Sequence, residues 1–162
     1  MFSLFTKKRK VSDLQLDAEV TVEGRVAAPE SVSVPGAGIR CACYFVLNEA
    51  WQHGTRGRGR KMWVPTGAHN KCGGFFLDDG TGRVWVAACE GNELDLAGGT
   101  GQVGELGKKG TGRYLARIVA DGARVRVRGV VSRPKASEPG EGLVIRPGGK
   151  RRVLSIKHLR SG

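Results

Sequence analysis

The sequence predicts an all-β protein. Its apolar residues recur at every second position in several short segments, which is the spacing of a strand with one buried face. Glycine supplies 26 of the 162 residues, and this content favours many tight turns over a helical bundle. Residues 75–88 have the pattern of a β-hairpin of the kind found in small Greek-key barrels. We therefore expect an OB-like Greek-key barrel or curved sheet of about five to seven strands with one short helix.

The hairpin at residues 75–88 is predicted from its turn chemistry. Phe75 and Leu77 alternate along its first strand, and an Asp-Gly-Thr-Gly sequence follows. The side chain of Asp79 can accept a hydrogen bond from the backbone two residues on, and glycine tolerates positive φ. Because adjacent residues of a strand face opposite sides, Asp78 and Asp79 make a poor acid–base pair, and we interpret Asp79 as a turn former.

Two segments share one strand pattern. Residues 20–26 and residues 125–131 both begin with alternating valines and both have a glycine at the fifth position. Curved barrel strands commonly need a glycine at the bend, and this explains Gly24 and Gly129. Both segments are therefore expected to be strands of the barrel.

The remaining segments complete the predicted sheet. Residues 39–49 form a strand that is apolar on both faces and is therefore expected at the centre. Apolar residues at helical spacing predict the short helix at residues 112–120, after a long polar loop at residues 90–111. Residues 143–145 and 152–156 are expected to pair as a last hairpin.

The bulk composition indicates one domain with an anionic neighbour. Residues 1–14 form a basic tail and residues 15–160 a single β domain. The net charge of +12 implies nucleic acid, an anionic membrane surface or an acidic protein as the partner, although a merely solvated basic surface has the same charge. We find no apolar run of membrane-spanning length and no secretory signal. The expected location is cytoplasmic, with peripheral attachment to the inner face of a membrane as one possibility.

A basic loop between two tryptophans is the best candidate for function. It lies at the tip of a long predicted hairpin, where arginine alternates with glycine. Cationic side chains meet phosphates, and exposed tryptophans stack on bases or insert at a lipid interface. The alternative is a solvated tip with both tryptophans in the core. The predicted polyanion-binding residues are Trp51, Arg56, Arg58, Arg60, Lys61 and Trp63 in the loop, and Lys7, Lys8, Arg9 and Lys10 in the tail.

No catalytic or metal site is predicted. The four cysteines include no Cys-x-x-Cys pair, so we expect buried free thiols, with Cys41 and Cys43 pointing inward from one face of a strand. Residues 99–104 fit a dinucleotide-binding fingerprint but lack the strand before it and the helix after it. The chain shows no nucleophile beside a base and no phosphate-binding loop. We therefore expect no cofactor, no metal ion and no small-molecule substrate.

Several motifs together resemble a known domain family. They are a Cys-x-x-Tyr sequence at residues 41–44, a Trp-containing hairpin, and a Phe-x-x-Asp-x-Thr-Gly sequence at residues 76–82. This pattern is similar to that of the GIDE domain, which occurs in the mitochondrial RING ubiquitin ligase Mulan and in many bacterial membrane proteins. The resemblance spans residues 14–156 and implies a binding or scaffold module beside a membrane, with protein assembly partners. The motif residues to which it gives a structural role are Cys41, Tyr44, Phe76, Asp79, Thr81, Gly82 and Gly129.

Two features depart from that family. Its members usually carry transmembrane helices, whereas this sequence has no apolar run of that length. The ligase has a C-terminal RING, whereas no cysteine follows Cys89 in this sequence. Ligase activity is therefore not carried over, and we expect no enzyme. The alternative is an OB-fold nucleic-acid-binding protein, in which Tyr44, Phe76 and Trp85 would offer stacking surfaces.

Overall fold

The chain folds almost entirely into β-strands. The computed structural model describes residues 7–27, 32–53, 59–139 and 142–160, and in these ranges only Val11–Asp13 and Gly91–Glu93 form short 3-10 turns. The all-β prediction is thus confirmed, with more strands than expected. The strands are β1 (Glu19–Ala27), β2 (Val32–Ser33), β3 (Arg40–Cys41), β4 (Cys43–His53), β5 (Lys61–Cys72), β6 (Phe75–Asp78), β7 (Arg83–Val86), β8 (Cys89–Glu90), β9 (Leu94–Ala97), β10 (Thr100–Glu105), β11 (Gly112–Val119), β12 (Arg124–Ser132), β13 (Val144–Arg146) and β14 (Leu154–His158).

Five of these strands close into a barrel. They follow one another in the order β1-β6-β7-β13-β12, and β12 pairs again with β1. The pairing of β7 with β13 is parallel, and the other four are antiparallel. This is the OB-like, closed Greek-key architecture that the sequence predicts. Strands β14 and β9 continue the sheet outward from β12.

The period-two residues fill the barrel as expected. Phe75 and Leu77 of the central hairpin are both fully buried, and its strands β6 and β7 pair antiparallel in the predicted way. The Asp79 carboxylate closes the turn, because it accepts hydrogen bonds from the backbone N–H of Thr81 at 2.8 Å and from its hydroxyl at 2.6 Å. The same carboxylate accepts a bond from the backbone N–H of Val11 at 2.8 Å. The turn therefore also holds the chain segment before β1.

The two repeated segments are partners across the barrel seam. Strands β1 and β12 pair so that Val20 lies opposite Gly129 and Gly24 lies opposite Val125. Each glycine also lies close to the backbone of a third strand, β6 for Gly24 and β13 for Gly129. A Cβ atom on Gly24 would lie 2.5 Å from a carbonyl oxygen of β6, and one on Gly129 would lie 2.5 Å from a carbonyl oxygen of β13. Both positions therefore require glycine where the strands cross.

Two insertions into the barrel build a second sheet. The chain between β1 and β6 supplies β4 and β5, and the chain between β7 and β12 supplies β8, β10 and β11. Their order is β10-β11-β4-β5-β8. The pairing of β4 with β5 forms the long hairpin that was predicted around the two tryptophans, and its far end is mostly exposed.

The predicted helix at residues 112–120 is wrong, since these residues form β11. Strand β11 lies between β10 and β4, and residues on both of its faces are at least partly buried. Apolar side chains therefore occur on both faces, and the period-two signal is lost. The long loop expected at residues 90–111 is also wrong, because it contains β9 and β10.

The last predicted hairpin is wrong as well. Strands β13 and β14 both pair with β12, at Val130–Ser132 and at Val125–Arg128 respectively, instead of forming a ladder with each other. Only an isolated bridge between Gly148 and Val153 joins the chain on either side of their turn. The two strands are adjacent in sequence, but the nine-residue β12 is long enough to pair with both of them along different stretches of its backbone.

Replacing either seam glycine by alanine should destabilise the fold. Gly24→Ala and Gly129→Ala each force a methyl group against a backbone carbonyl, and we expect each to lower the free energy of unfolding by roughly 1–3 kcal/mol. Urea titration measures the loss. The matched control is Gly101→Ala in β10, where a Cβ atom would meet nothing within 4 Å. If all three variants were equally stable, the close crossing would not be a constraint.

Candidate polyanion-binding surfaces

The exposed end of the β4–β5 hairpin carries a tryptophan pair. Trp51 and Trp63 lie opposite each other in the strand register, with ring centroids 5.3 Å apart. Trp51 is 43% exposed. The guanidinium of Arg113 lies over the Trp63 ring, 4.4 Å from its centroid, and is held there by a 2.7 Å ion pair with Glu49. The tryptophans therefore form part of the surface, as the polyanion hypothesis requires, and not part of the core.

The hairpin end is apolar on both faces and basic beside its turn. Met62 is 52% exposed and follows the strand alternation to the face opposite that of Trp63. Arg60 and Lys61 are exposed, and neither forms an ion pair with a carboxylate among the described residues. The predicted residues Arg56 and Arg58 lie outside the residues that the structure describes.

The basic residues before β1 lie along the barrel, away from the second sheet. Lys8 forms a parallel bridge with Thr21, and the backbone N–H of Arg9 donates to the Thr21 carbonyl at 2.8 Å. The Lys8 ammonium pairs with Glu23 at 2.8 Å. The hydrogen bond from Lys8 lowers the pKa of Glu23, burial opposes this, and a bond from Arg126 adds to the lowering. Lys7, Lys8, Arg9 and Lys10 are all exposed.

Three further basic residues, absent from the predicted site, lie beside that segment. Arg126 and Arg128 of β12 and Lys157 of β14 line a groove together with Lys7 and Lys8. The alternation of arginine with valine along β12 was a usable signal, because residues two apart on a strand share one face. What the alternation alone does not reveal is that the N-terminal segment and β14 lie beside this face.

Two of the three aromatic residues considered for base stacking are buried, and the third, Phe76, is half-buried. Tyr44 is 2% exposed, and its hydroxyl lies 2.8 Å from Nδ1 of His69. Trp85 is 7% exposed and packs edge-on against Phe76, with centroids 4.9 Å apart. Phe76 and Trp85 lie on β6 and β7, the strands that OB folds use to bind oligonucleotides. In this chain, Trp85 is not open for stacking, and Phe76 is only half-exposed.

Residues between β12 and β13 lie against the Phe76 and Trp85 rings. Pro134 and Pro139 share a small cavity of about 110 Å³ with the rings of Phe76 and Trp85. An ion pair joins Glu138 of this segment to Arg146 of β13. Arg146 also donates to the carbonyl oxygen of Arg133 at 3.1 Å, so it holds the segment at two points. Burial raises the pKa of Glu138, but hydrogen bonds from Arg146 and from the Lys135 backbone outweigh burial and lower it overall.

The four cysteines are buried free thiols, as predicted. Cys43 lies opposite Cys72 in the register, and Cys72 opposite Cys89, so these three form a row across β4, β5 and β8. The prediction that Cys41 and Cys43 share a face is wrong. The chain leaves the strand at Ala42, so Cys41 packs with Tyr44 and Val46, whereas Cys43 packs in the barrel core. Among the described residues, no three His, Cys, Asp or Glu side chains are arranged to hold a metal ion.

Comparison with known proteins adds no relative. No family model, curated protein or solved structure matches this chain. The similarity to the GIDE domain therefore stays a prediction that rests on the motifs themselves. In the described ranges, no helix is long and apolar enough to cross a membrane.

The buried thiols should resist modification in the folded protein. Burial raises the pKa of Cys41 to about 11 and that of Cys89 to about 12. Because the thiolate is the reactive form, a two-unit rise slows reaction at neutral pH roughly hundredfold, before any loss of access is counted. A colorimetric thiol reagent should therefore react slowly with the native protein and promptly with all four cysteines in denaturant. Prompt reaction of Cys41 or Cys89 without denaturant would contradict this packing.

Proposed function

We propose that this protein is a non-catalytic binding or scaffold module that attaches to an anionic membrane surface through the end of the β4–β5 hairpin. The observation that carries the proposal is the exposure of large apolar side chains on both faces of that end. Trp51 is 43% exposed and Met62 is 52% exposed. A flat ligand on one face would leave the other face in water. Insertion of the hairpin end into a lipid interface removes both side chains from water.

The charges beside the hairpin end fit the same partner. Arg60 and Lys61 flank the apolar end and have no carboxylate partner among the described residues. Tryptophan is enriched at the membrane–water interface, where its apolar ring and polar N–H are both accommodated. Each basic residue near an anionic surface contributes about 1 kcal/mol at physiological salt. The combination of two apolar side chains with adjacent cations therefore supports reversible attachment.

The GIDE-like motifs support a scaffold role at such a surface. A scaffold holds protein partners, and a barrel whose interior is filled by side chains is suited to present its loops and edges to them. We place the protein at the cytoplasmic, inner face of a membrane, where anionic lipids make the surface potential negative. No step of this proposal requires catalysis or a cofactor.

Nucleic-acid binding is the second candidate. It is favoured by one observation, the tryptophan pair with Arg113 against Trp63, which resembles a stacking platform for bases. Against it, Trp85 on the customary OB surface is buried and Phe76 is half-buried, and Arg113 already occupies one side of the Trp63 ring. We therefore give the membrane surface precedence.

Removing the exposed tryptophan should weaken attachment to anionic vesicles. Burial of a large apolar side chain is worth about 1.5–3 kcal/mol, so Trp51→Ala should reduce partitioning roughly tenfold or more in a vesicle sedimentation assay. The double variant Arg60→Ala/Lys61→Ala should lose about 2 kcal/mol at low salt, and the loss should shrink as salt is added. Val103→Ala is the matched control, because Val103 is 69% exposed on β10 of the same sheet.

Two outcomes would count against membrane attachment. One is an equal effect of Trp51→Ala and Val103→Ala on vesicle binding. The other is tight binding of single-stranded DNA or RNA with little binding to vesicles, together with a cost of about 1–3 kcal/mol for Trp51→Ala on the single strand. The second outcome would establish the nucleic-acid function instead.

A further inference from the structure

A groove on the outer side of the barrel gathers cationic side chains from three separate segments. Its volume is about 660 Å³, which is within the range of small-molecule sites. Lys7 and Lys8 come from the segment before β1, Arg126 and Arg128 from β12, and Lys157 from β14. The groove lies on the barrel, whereas the tryptophan pair lies on the second sheet. It therefore needs an explanation of its own.

Two arginines of the groove are held in position by carboxylates outside it. Arg126 donates to Glu23 from Nε at 2.8 Å and pairs with it through Nη2 at 2.7 Å. Arg128 engages Glu19 in the same way, at 3.1 and 2.9 Å. Among the described residues, Nη1 of neither arginine has a hydrogen-bonding partner. A guanidinium that is already ordered, with one nitrogen free, binds an oxyanion at a reduced cost in side-chain entropy.

The lysines supply charge that the protein does not balance. Lys7 and Lys157 are exposed and form no ion pair within the described part of the chain. The groove is lined by five cationic side chains and one carboxylate, that of Asp95, and outside it Glu19 and Glu23 pair with Arg128, Arg126, Lys8 and Arg124. Six cations against three carboxylates leave an excess of three positive charges, which favours a ligand with more than one negative charge.

One carboxylate lies inside the groove and narrows the class of ligand. Asp95 of β9 is beside Ser155 of β14, whose hydroxyl donates to it at 3.4 Å. An ionised carboxylate only accepts hydrogen bonds, so it repels a phosphate and attracts a hydroxyl. A ligand made only of phosphates would meet this repulsion. A ligand with phosphates and hydroxyls would satisfy both the cations and Asp95.

We propose that this groove binds a phosphorylated polyol that carries at least two phosphate groups and free hydroxyls. Arg126, Arg128, Lys7 and Lys157 bind the phosphates, while Asp95 accepts hydrogen bonds from the hydroxyls. The ligand is either a free compound or the headgroup of a lipid, since both present the same groups. The site acts independently of the hairpin end.

Calorimetric titration of the full chain with inositol trisphosphate tests the proposal. We expect saturable binding that is tighter than binding of tripolyphosphate, which is highly charged but has no polyol hydroxyls. Hydrogen bonds to charged groups are strong, so Lys7→Ala/Lys157→Ala should raise the Kd about tenfold or more. Lys108→Ala/Lys109→Ala is the control with equal loss of charge, on the exposed turn after β10, and should change the Kd less than twofold.

The variant Asp95→Asn separates hydroxyl recognition from charge alone. Removing the carboxylate should tighten tripolyphosphate binding and reduce the preference for inositol trisphosphate, whereas a merely structural role would weaken the binding of both ligands.

Trp51→Ala should leave the titration with soluble inositol trisphosphate unchanged, so failure of the groove and failure of the hairpin site are distinguishable. Vesicles containing a phosphoinositide, compared with phosphatidylserine vesicles of equal charge, show whether the polyol is a lipid headgroup. Absence of saturable binding, equal losses in the two lysine variants, or no preference over tripolyphosphate would overturn the proposal.

Discussion

The antiparallel pairing of β1 with β12 closes the barrel, and the rest of the structure depends on it. Each strand runs beside the other and then turns to a further neighbour, β1 toward β6 and β12 toward β13. The turning points are Gly24 and Gly129, where any side chain would collide with a carbonyl oxygen. Because the ring is closed, its strands leave no free edge at the seam. The inserted strands pack Cys43, Cys72 and Val119 into the barrel core, whereas their exposed far ends are available to carry binding groups.

Three glutamates have the same use in this basic protein. Glu49 holds Arg113 against Trp63, Glu23 holds Arg126, and Glu19 holds Arg128. An arginine fixed by a carboxylate on one side loses less freedom when its other side meets an anion. These three pairs are neutral overall, so the net charge of +12 is carried by other basic residues of the chain, such as Lys7 and Lys157. The hairpin end and the groove use the same device on two different sheets.

How much the sequence predicts depends on how many faces of a strand are buried. β12 has one buried face, so its valines alternate and its bounds are close to the predicted ones. β11 is partly buried on both faces, and its apolar residues imitate helical spacing. Cys41 and Cys43 end on different sides because the chain departs from the strand at Ala42, which the local pattern does not reveal.

The two candidate sites differ in how far the sequence alone predicts them. The hairpin end is local in sequence, so the tryptophans and basic residues around its turn predict it. The groove joins the segment before β1 to β12 and to β14, which are far apart in the chain. The alternating arginines of β12 are the only sequence pattern that predicts one wall of the groove. The other walls depend on tertiary pairing, and a single sequence carries no direct signal for that.

Amide hydrogen exchange tests most directly the claim that the closed barrel is the stable part of the fold and that the exposed hairpin end opens separately. At the two ends of the seam, the Val26 N–H donates to Ala123 and the Val131 N–H donates to Ala18, both at 2.9 Å. These amides should exchange only through global unfolding, because opening them breaks the barrel. The Trp51 N–H, bonded to Thr111 at 3.0 Å on the exposed hairpin, should exchange through local opening at a lower free energy. Exchange at Val26 and Val131 that is as fast as at Trp51, or faster, would contradict the account.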